Sequence, residues 1–406
     1  MKLIFKSFAI LLLMALLAIG VIWYQYASFL STPAAITSEN EYFEVKPGSN
    51  IRQVTEQLQS KGIIQNKWWF LAHARFSDMA TKLKAGEYKL ETGMKPDDIL
   101  KKLASGQTVQ YQLIVLEGKT FKELMANVRN SPFLQQTLKP EDYPKVLQQL
   151  GGTGDMHPEG WFYADTYSFP RKTTDVEFLK RSYTTMQNYL QKAWANREPN
   201  PTIKTPYDAL ILASIVEKET GLAEERPLVA RVFLNRLEKG MLLQTDPTVI
   251  YGIGDAYNGN IRKTDLQTDT PYNTYTRKGL PPTPIAIPGK AAIDAVMHPA
   301  NSKALYFVAT APGAASHFSE TLAEHNKAVQ NYILNRKKVV SAADKKTGTE
   351  TAPVAPTTGT SATTTTPAAS TSEIAVIPAP TNDTATKAAT TPASTPVTAT
   401  TTPAKP

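Results

Sequence analysis

The sequence predicts an α+β protein: an N-terminal transmembrane helix, a small α/β subdomain, a larger mixed α/β domain and a disordered C-terminal tail. Three observations predict it. An uncharged apolar run follows Lys2 and Lys6 and lasts until Glu39. Short alternating strands, each followed by a glycine turn and an amphipathic helix, recur in the first third of the body. From about Lys345 the chain becomes mostly Thr, Ala and Pro with no aromatic residue.

The chain has 406 residues, enough for about two domains, and 42% of them are hydrophobic, enough to bury a core. It has no cysteine, which excludes disulfides, thiolate catalysis and cysteine metal sites. The net charge of +8 favours polyanions, among them cell-wall polymers and anionic lipid. No basic–aromatic cluster of nucleic-acid type occurs, so nucleic acid is not an expected partner.

At the N-terminus, "MKLIFK" forms a short cytoplasmic stretch, residues 1–6, and residues 7–26 form the span. The densest apolar part, Phe8 to Tyr24, nears the roughly 20 residues a spanning helix needs. Trp23, Tyr24 and Tyr26 sit where the far interface would be, and the lysines hold the short side in the cytoplasm. The bulk of the chain is then extracytoplasmic, or periplasmic, behind a single pass through the inner (plasma) membrane. A cleaved signal peptide is the competing reading. The length of the apolar region and the lack of an A-x-A site argue against it.

Three stretches, "YFEVKPGSNIRQVTEQL", "EYKLETGMKPDDILKKL" and "QLIVLEGKTFKELMANV", each give a strand, a turn with Gly48, Gly93 or Gly118, and a helix. Asn50 with Gln53, and Thr120 with Glu123, have capping-box spacing, and Gly62 is a stop for the first helix. Such units resemble the LysM module, which binds N-acetylglucosamine polymers, and this places a LysM-like subdomain at residues 40–118. A plain α+β scaffold gives the same pattern. The tail, residues 345–406, cannot bury enough apolar area to offset its ordering entropy.

Residues 120–200 read as mostly helical, interrupted by "HPEGWFYADTYSFP" (157–170). Aromatics beside Glu159 and Asp165 suit a sugar site, because pyranose faces pack on rings while hydroxyls seek charged acceptors. A core-edge loop is the alternative.

"SIVEKET" (214–220) carries Glu217 and Glu219, which cannot share a helix face. Their helix starts at Thr205 as N-cap, with Pro206 and Asp208 in the first turn, and ends at Gly221. Behind Glu219 lie Val216, Ile215 and Leu212; behind Glu217 lie Ser214, Ala213 and Leu210. Glu219 therefore ends the bulkier apolar stripe. Desolvation there, and the negative end of the helix dipole, both raise a carboxyl pKa and keep a proton available for a leaving oxygen. Glu217 reads as a solvated surface acid. The alternative role for Glu219 is an ion pair with Arg226 or Arg231.

Two further loops are candidates for the same site. "LLQTDPTVIYGIG" places Gln244, Thr245 and Asp246 before a proline-marked turn, and "TPYNTYTRKGLPPTPIAIPG" carries Asn273, Thr274 and Tyr275 in a long irregular stretch. "HFSETLAEHN" adds His317, Glu324 and His325. Ordinary surface turns are the alternative for each. With no H-E-x-x-H pattern and five histidines in all, neither a metal nor another cofactor is expected. Serine-triad catalysis lacks a G-x-S-x-G elbow.

Together, "EGWFYADTY" (159–167), "ASIVEKET" (213–220), "LQTDPTVIYG" (243–252), "YNTY" (272–275), "GLPPTPI" (279–285) and "HFSETLAEHN" (317–326) resemble the endolytic murein transglycosylases of the YceG-like kind. These are membrane-anchored enzymes that cut peptidoglycan glycan strands. The resemblance covers about residues 1–335 and implies a catalytic domain at 119–337. It assigns the catalytic glutamate to Glu219, as the helix count does. It lines the glycan cleft with Gln244, Thr245, Asp246, Asn273, Tyr275, His317, Glu159 and Asp165. Endolytic action is implied by the resemblance alone.

The implied reaction cleaves the MurNAc–GlcNAc linkage and leaves a 1,6-anhydro-MurNAc end, with one glutamate acting as acid and then as base. A hydrolase with Asp246 or Asp165 as second acid, and a wall-binding scaffold without turnover, are the rivals. An enzyme cutting new strands at the membrane would sit beside peptidoglycan synthases, although no partner motif marks them.

Overall fold

Three strand–turn–helix units open the folded part of the chain in the computed structural model, which describes residues 2–36, 41–152, 154, 156–311 and 314–334. Met1, residue 40, the end of the expected catalytic domain (335–337) and the expected tail at 345–406 lie outside the described residues.

Helix α1 (Lys2–Ser31) comes first. Within it, Ile4–Ser31 is long and apolar enough to cross a membrane, by length and composition. Strand β1 (Glu41–Val45), helix α2 (Ile51–Ser60), helix α3 (Lys67–Phe76), strand β2 (Gly86–Leu90) and helix α4 (Pro96–Ser105) follow. The third unit is strand β3 (Gln110–Val115) and helix α5 (Phe121–Asn130). Gly48, Gly93 and Gly118 turn the chain at φ +77°, +89° and +73°, a conformation that costs an L side chain roughly 1 kcal/mol or more. Asn50 with Gln53 and Thr120 with Glu123 close reciprocal capping boxes. These turns and caps form because their chemistry is local.

Two cores divide the units. Strands β1 and β2 pair antiparallel, with Phe43 opposite Tyr88, and both side chains join Val54, Leu58, Phe70, Ile99 and Leu103 in the smaller core. Strand β3 belongs to the larger core through Tyr111, Leu113 and Val115. The two cores part between Leu103 and Tyr111, ahead of the expected division at residue 118. Glu87 bridges the two parts, accepting from the Tyr111 hydroxyl and pairing with Arg171 at 3.0 Å.

The larger part continues with helix α6 (Val146–Gln149), strand β4 (Asp165–Pro170), helix α7 (Asp175–Ala195), helix α8 (Pro206–Glu219) and helix α9 (Arg226–Glu238). Helix α10 (Asp246–Ile253), helix α11 (Lys263–Gln267), helix α12 (Lys290–Met297), strands β5 (Tyr306–Ala309) and β6 (Ser316–Ser319), and helix α13 (Leu322–Val329) complete it. Sequence reasoning missed β4. It pairs antiparallel with β3, placing Tyr167 opposite Leu113 and Phe169 opposite Tyr111. Its alternating D-T-Y-S-F-P pattern was the available signal.

The same pairing overturns the sugar-site reading of the neighbouring aromatics. Trp161, Phe162, Tyr167 and Phe169 are buried in the core, and Trp161 stacks on Tyr207. At roughly 1.5–3 kcal/mol per large apolar side chain, burial outweighs any use of these rings in solvent.

Helix α8 is the centre of this domain. Helices α7, α9, α10 and α12 all pack on it, and Ala209 through Val216 are buried without a gap. Thr205 and Asp208 close its capping box, Pro206 occupies the first turn, and Glu219 is its last residue.

Candidate active site

Because Ala209 through Val216 are buried on every face of α8, its apolar stripe does not separate the two glutamates. Desolvation raises both carboxyl pKa values. Their partners separate them.

Glu217 is not the solvated acid expected. Its side chain is 5% exposed and pairs with Arg226 at 3.4 Å. Its other oxygen accepts the Gly289 N–H at 3.0 Å. The segment before α12 thus runs along α8, and Ile285 N–H donates to Ser214 Oγ at 3.0 Å on the same line. Arg226, the alternative partner considered for Glu219, belongs to Glu217. Arg231 is held by the Ala300 carbonyl at 2.9 Å.

Glu219 faces a different neighbourhood. Thr245, buried just before α10, donates its hydroxyl to Glu219 Oε1. Burial pushes the carboxyl up most; the Thr245 hydroxyl opposes this, the Asp246 charge adds to it, and Arg236 opposes it. Residue 219 as a whole keeps part of its surface exposed, while its carboxyl is desolvated.

The two predicted loops zip together around this acid. Gln244 N–H donates to the Thr274 carbonyl and Thr245 N–H to Thr274 Oγ1, each at 3.1 Å. The Thr248 and Thr274 hydroxyls share a hydrogen bond of 2.9 Å. Tyr275 donates its hydroxyl to Asp246. Burial and the Asp246 carboxylate keep the Tyr275 phenol protonated, its pKa raised. Gln244 is exposed and sits at φ +50°, a left-handed conformation uncommon outside glycine and enriched at functional sites. The expected proline-marked turn after Asp246 is instead the start of α10, with Pro247 in its first turn.

Asn273 departs from its expected role as a substrate ligand. It is 1% exposed. Its amide donates to the carbonyls of Asp265, Leu266 and Thr268, and its oxygen accepts the Tyr275 N–H at 2.8 Å. It staples the loop that presents Tyr275.

Glu159 departs as well. At 2% exposure it accepts the Phe121 N–H of α5 at 2.8 Å and the Tyr251 hydroxyl at 3.0 Å. It joins α5 to the far end of α10 from Asp246, and burial pushes its carboxyl up to about 7. Asp165 begins β4, is exposed, and accepts the N–H of Thr166 at 2.7 Å. His317 is exposed on β6, with its ring 5.8 Å from Tyr332.

Two residues escaped sequence reasoning. Glu225 is buried just before α9 and accepts from the Thr220 hydroxyl at 3.2 Å and from the Ser316 N–H and hydroxyl. It ties the residue after Glu219 to the start of β6. Arg236 holds the carbonyls of Leu243 and Leu305 at 2.7 Å each and lies over the Tyr306 ring. A charged residue inside the apolar run "VFLNRL" was its only sequence signal.

The model for the YceG-like family matches residues 43–331, a span that includes Glu219 and both loops. The chain belongs to the YceG-like family. This YceG-like chain is 32% identical over 310 residues to an endolytic murein transglycosylase of Bacillus subtilis, covering 72% of this chain and 84% of that protein. It is 29% identical over 367 residues to an endolytic murein transglycosylase of Streptococcus pneumoniae strain D39, covering 81% of this chain and 65% of that one. Among solved structures, a yceG-like protein of Listeria monocytogenes is 31% identical and covers 71% of the YceG-like chain and 98% of its own, with a TM-score of 0.45.

Proposed function

We propose that this chain is a peptidoglycan lytic transglycosylase with Glu219 as its single acid and base. The relatives named endolytic murein transglycosylase support the reaction class. The observation that carries the assignment to Glu219 is its desolvated carboxyl, held by Thr245 where α8 meets the 244–246 and 273–275 segments.

Protonated Glu219 donates to the oxygen linking N-acetylmuramic acid to N-acetylglucosamine, and positive charge develops at the muramic C1. The carboxylate then takes the proton of the same sugar's C6 hydroxyl, which closes onto C1. A 1,6-anhydro end forms and no water is consumed. An internal nucleophile has a high effective concentration, so no second carboxylate is needed. The Tyr275–Asp246 pair and exposed Gln244 are the groups placed to meet the sugar, with Thr245 tuning the acid. Asn273 and Glu159 act as scaffold. His317 and Asp165 would line outer parts of a long cleft.

Helix α1 is read as an uncleaved membrane anchor that leaves the rest of the chain extracytoplasmic. Its outer end supports this reading: Phe29 packs on the smaller core, and Ala34 N–H donates to the Met94 carbonyl at 2.7 Å. The β1–α4 part is read as the LysM-like subdomain, supported by its strand–turn–helix units. Peptidoglycan synthases are proposed neighbours of an enzyme anchored in this way.

Asp246 stands close enough to Glu219 to raise its pKa, which favours one second reading, a hydrolase that activates water with Asp246. Digestion of purified glycan strands, with products identified by mass spectrometry, separates the readings. Anhydro ends are expected. Reducing ends would establish the hydrolase, and undiminished cleavage by Glu219→Gln would remove Glu219 from the mechanism.

A further inference from the structure

The outer end of α1 is held against α3. The Tyr26 hydroxyl and His73 Nδ1 are 2.8 Å apart, and His73 Nε2 lies 2.9 Å from Asp97 at the start of α4. The Tyr26 ring also packs on Trp69 at 5.8 Å between centroids and on Trp23 at 6.0 Å. Trp23, Tyr24 and Tyr26 mark the outer interface of a bilayer crossed by α1. The Tyr26 contacts therefore place α3 at headgroup height.

Helix α3 buries Phe70, Leu71 and Ala74 in the smaller core. Residues 68, 72 and 76 follow one another at four-residue spacing and form the face turned away from that core. Trp68 on this face is 66% exposed and Phe76 81% exposed, unusual values for large apolar side chains in a folded domain. The neighbouring positions 69 and 73 meet α1, so the bare face lies beside the point where the chain would leave the membrane. Its charges are basic. Lys67 sits 5.3 Å from the Trp68 ring, Arg75 is exposed, and Asp78 just beyond the helix is neutralised by Lys82 at 2.9 Å.

We propose that α3 lies on the outer leaflet of the membrane, with Trp68 and Phe76 inserted among anionic headgroups and Lys67 and Arg75 paired with lipid phosphates. An apolar face edged by basic residues is what an interfacial helix requires. The inference rests on reading α1 as an uncleaved anchor. Its consequence is a second attachment beside the first, which limits how far the rest of the chain can tilt from the bilayer.

The chain has no cysteine, so single cysteines can be introduced and spin-labelled without competition. The full chain is reconstituted in phosphatidylethanolamine–phosphatidylglycerol vesicles as W68C, F76C, L16C or L322C. Leu16 lies inside the expected span, and Leu322 is an exposed apolar residue of the larger domain. Collision with oxygen is compared with collision with a water-soluble nickel chelate. Labels at 16, 68 and 76 are expected to favour oxygen, and the label at 322 to favour nickel. If position 16 favours oxygen while 68 and 76 match 322, the anchor stands and the docking of α3 is wrong. Shielding of 68 and 76 from both reagents would show protein covering the face, which also overturns the proposal. A water-exposed label at 16 would remove the anchor and the docking with it.

Discussion

Thr245 donates its hydroxyl to Glu219 across 26 positions of sequence, joining the end of α8 to the start of α10. The hydroxyl favours the charged form of an acid that burial drives toward the neutral form. Replacing Thr245 by Val keeps the shape and removes the donor, so the Glu219 pKa should rise further. A general acid must hold its proton, so activity falls as pH rises through that pKa. The falling limb of kcat/KM should move to higher pH in T245V, with kcat reduced about tenfold, in line with a hydrogen bond to a charged group. T245S should restore both. An unchanged limb in T245V would disconnect Thr245 from the acid.

The two glutamates of α8 should fail differently. Glu219→Gln should lose at least about a hundredfold in turnover while its melting temperature holds or rises, because a desolvated carboxyl is neutralised. Glu217→Ala strands Arg226, whose side chain is 11% exposed, and should cost about 3 kcal/mol of stability. Melting curves measured beside product analysis distinguish the two.

Asn273→Ala removes an amide that satisfies three carbonyls and one N–H inside the loop. A loss of roughly 2–3 kcal/mol is expected, since buried groups are left unpaired. Faster limited proteolysis between Asp265 and Tyr275 is the readout. A direct sugar ligand would instead raise KM and leave the proteolysis rate alone.

Burial raises the Glu159 carboxyl from its ordinary 4.5 to about 7. Between those values the folded chain holds a proton that the unfolded chain has released. Stability from this group is complete below pH 4.5 and falls as pH rises toward 7, by about 3 kcal/mol in all. Glu159→Gln has no proton to lose. Urea unfolding at pH 5 and pH 8 should show a smaller difference in the variant than in the parent chain by about that amount.

Much of the local structure was legible in the sequence. The glycine turns at 48, 93 and 118, the caps at Asn50, Thr120 and Thr205, and the position of Glu219 in the last turn of its helix all depend on residues within a few positions of each other. The apolar length of α1 was equally readable, because hydropathy is a property of the segment itself.

The tertiary structure decided what those elements face. The apolar stripe of α8 could not choose between Glu217 and Glu219, because α7, α9, α10 and α12 pack on the helix, bury Ala209 through Val216 on every face and leave both acids desolvated. Arg226 and Gly289 claim one glutamate, and Thr245 with the Tyr275 loop surrounds the other. The aromatics of 161–169 went into the core because β4 pairs with β3, a strand fifty residues away. Periodicity and capping report contacts within a turn or two of helix. Which carboxyl meets an arginine and which meets a hydroxyl depends on how distant segments pack, and no local pattern carries that information.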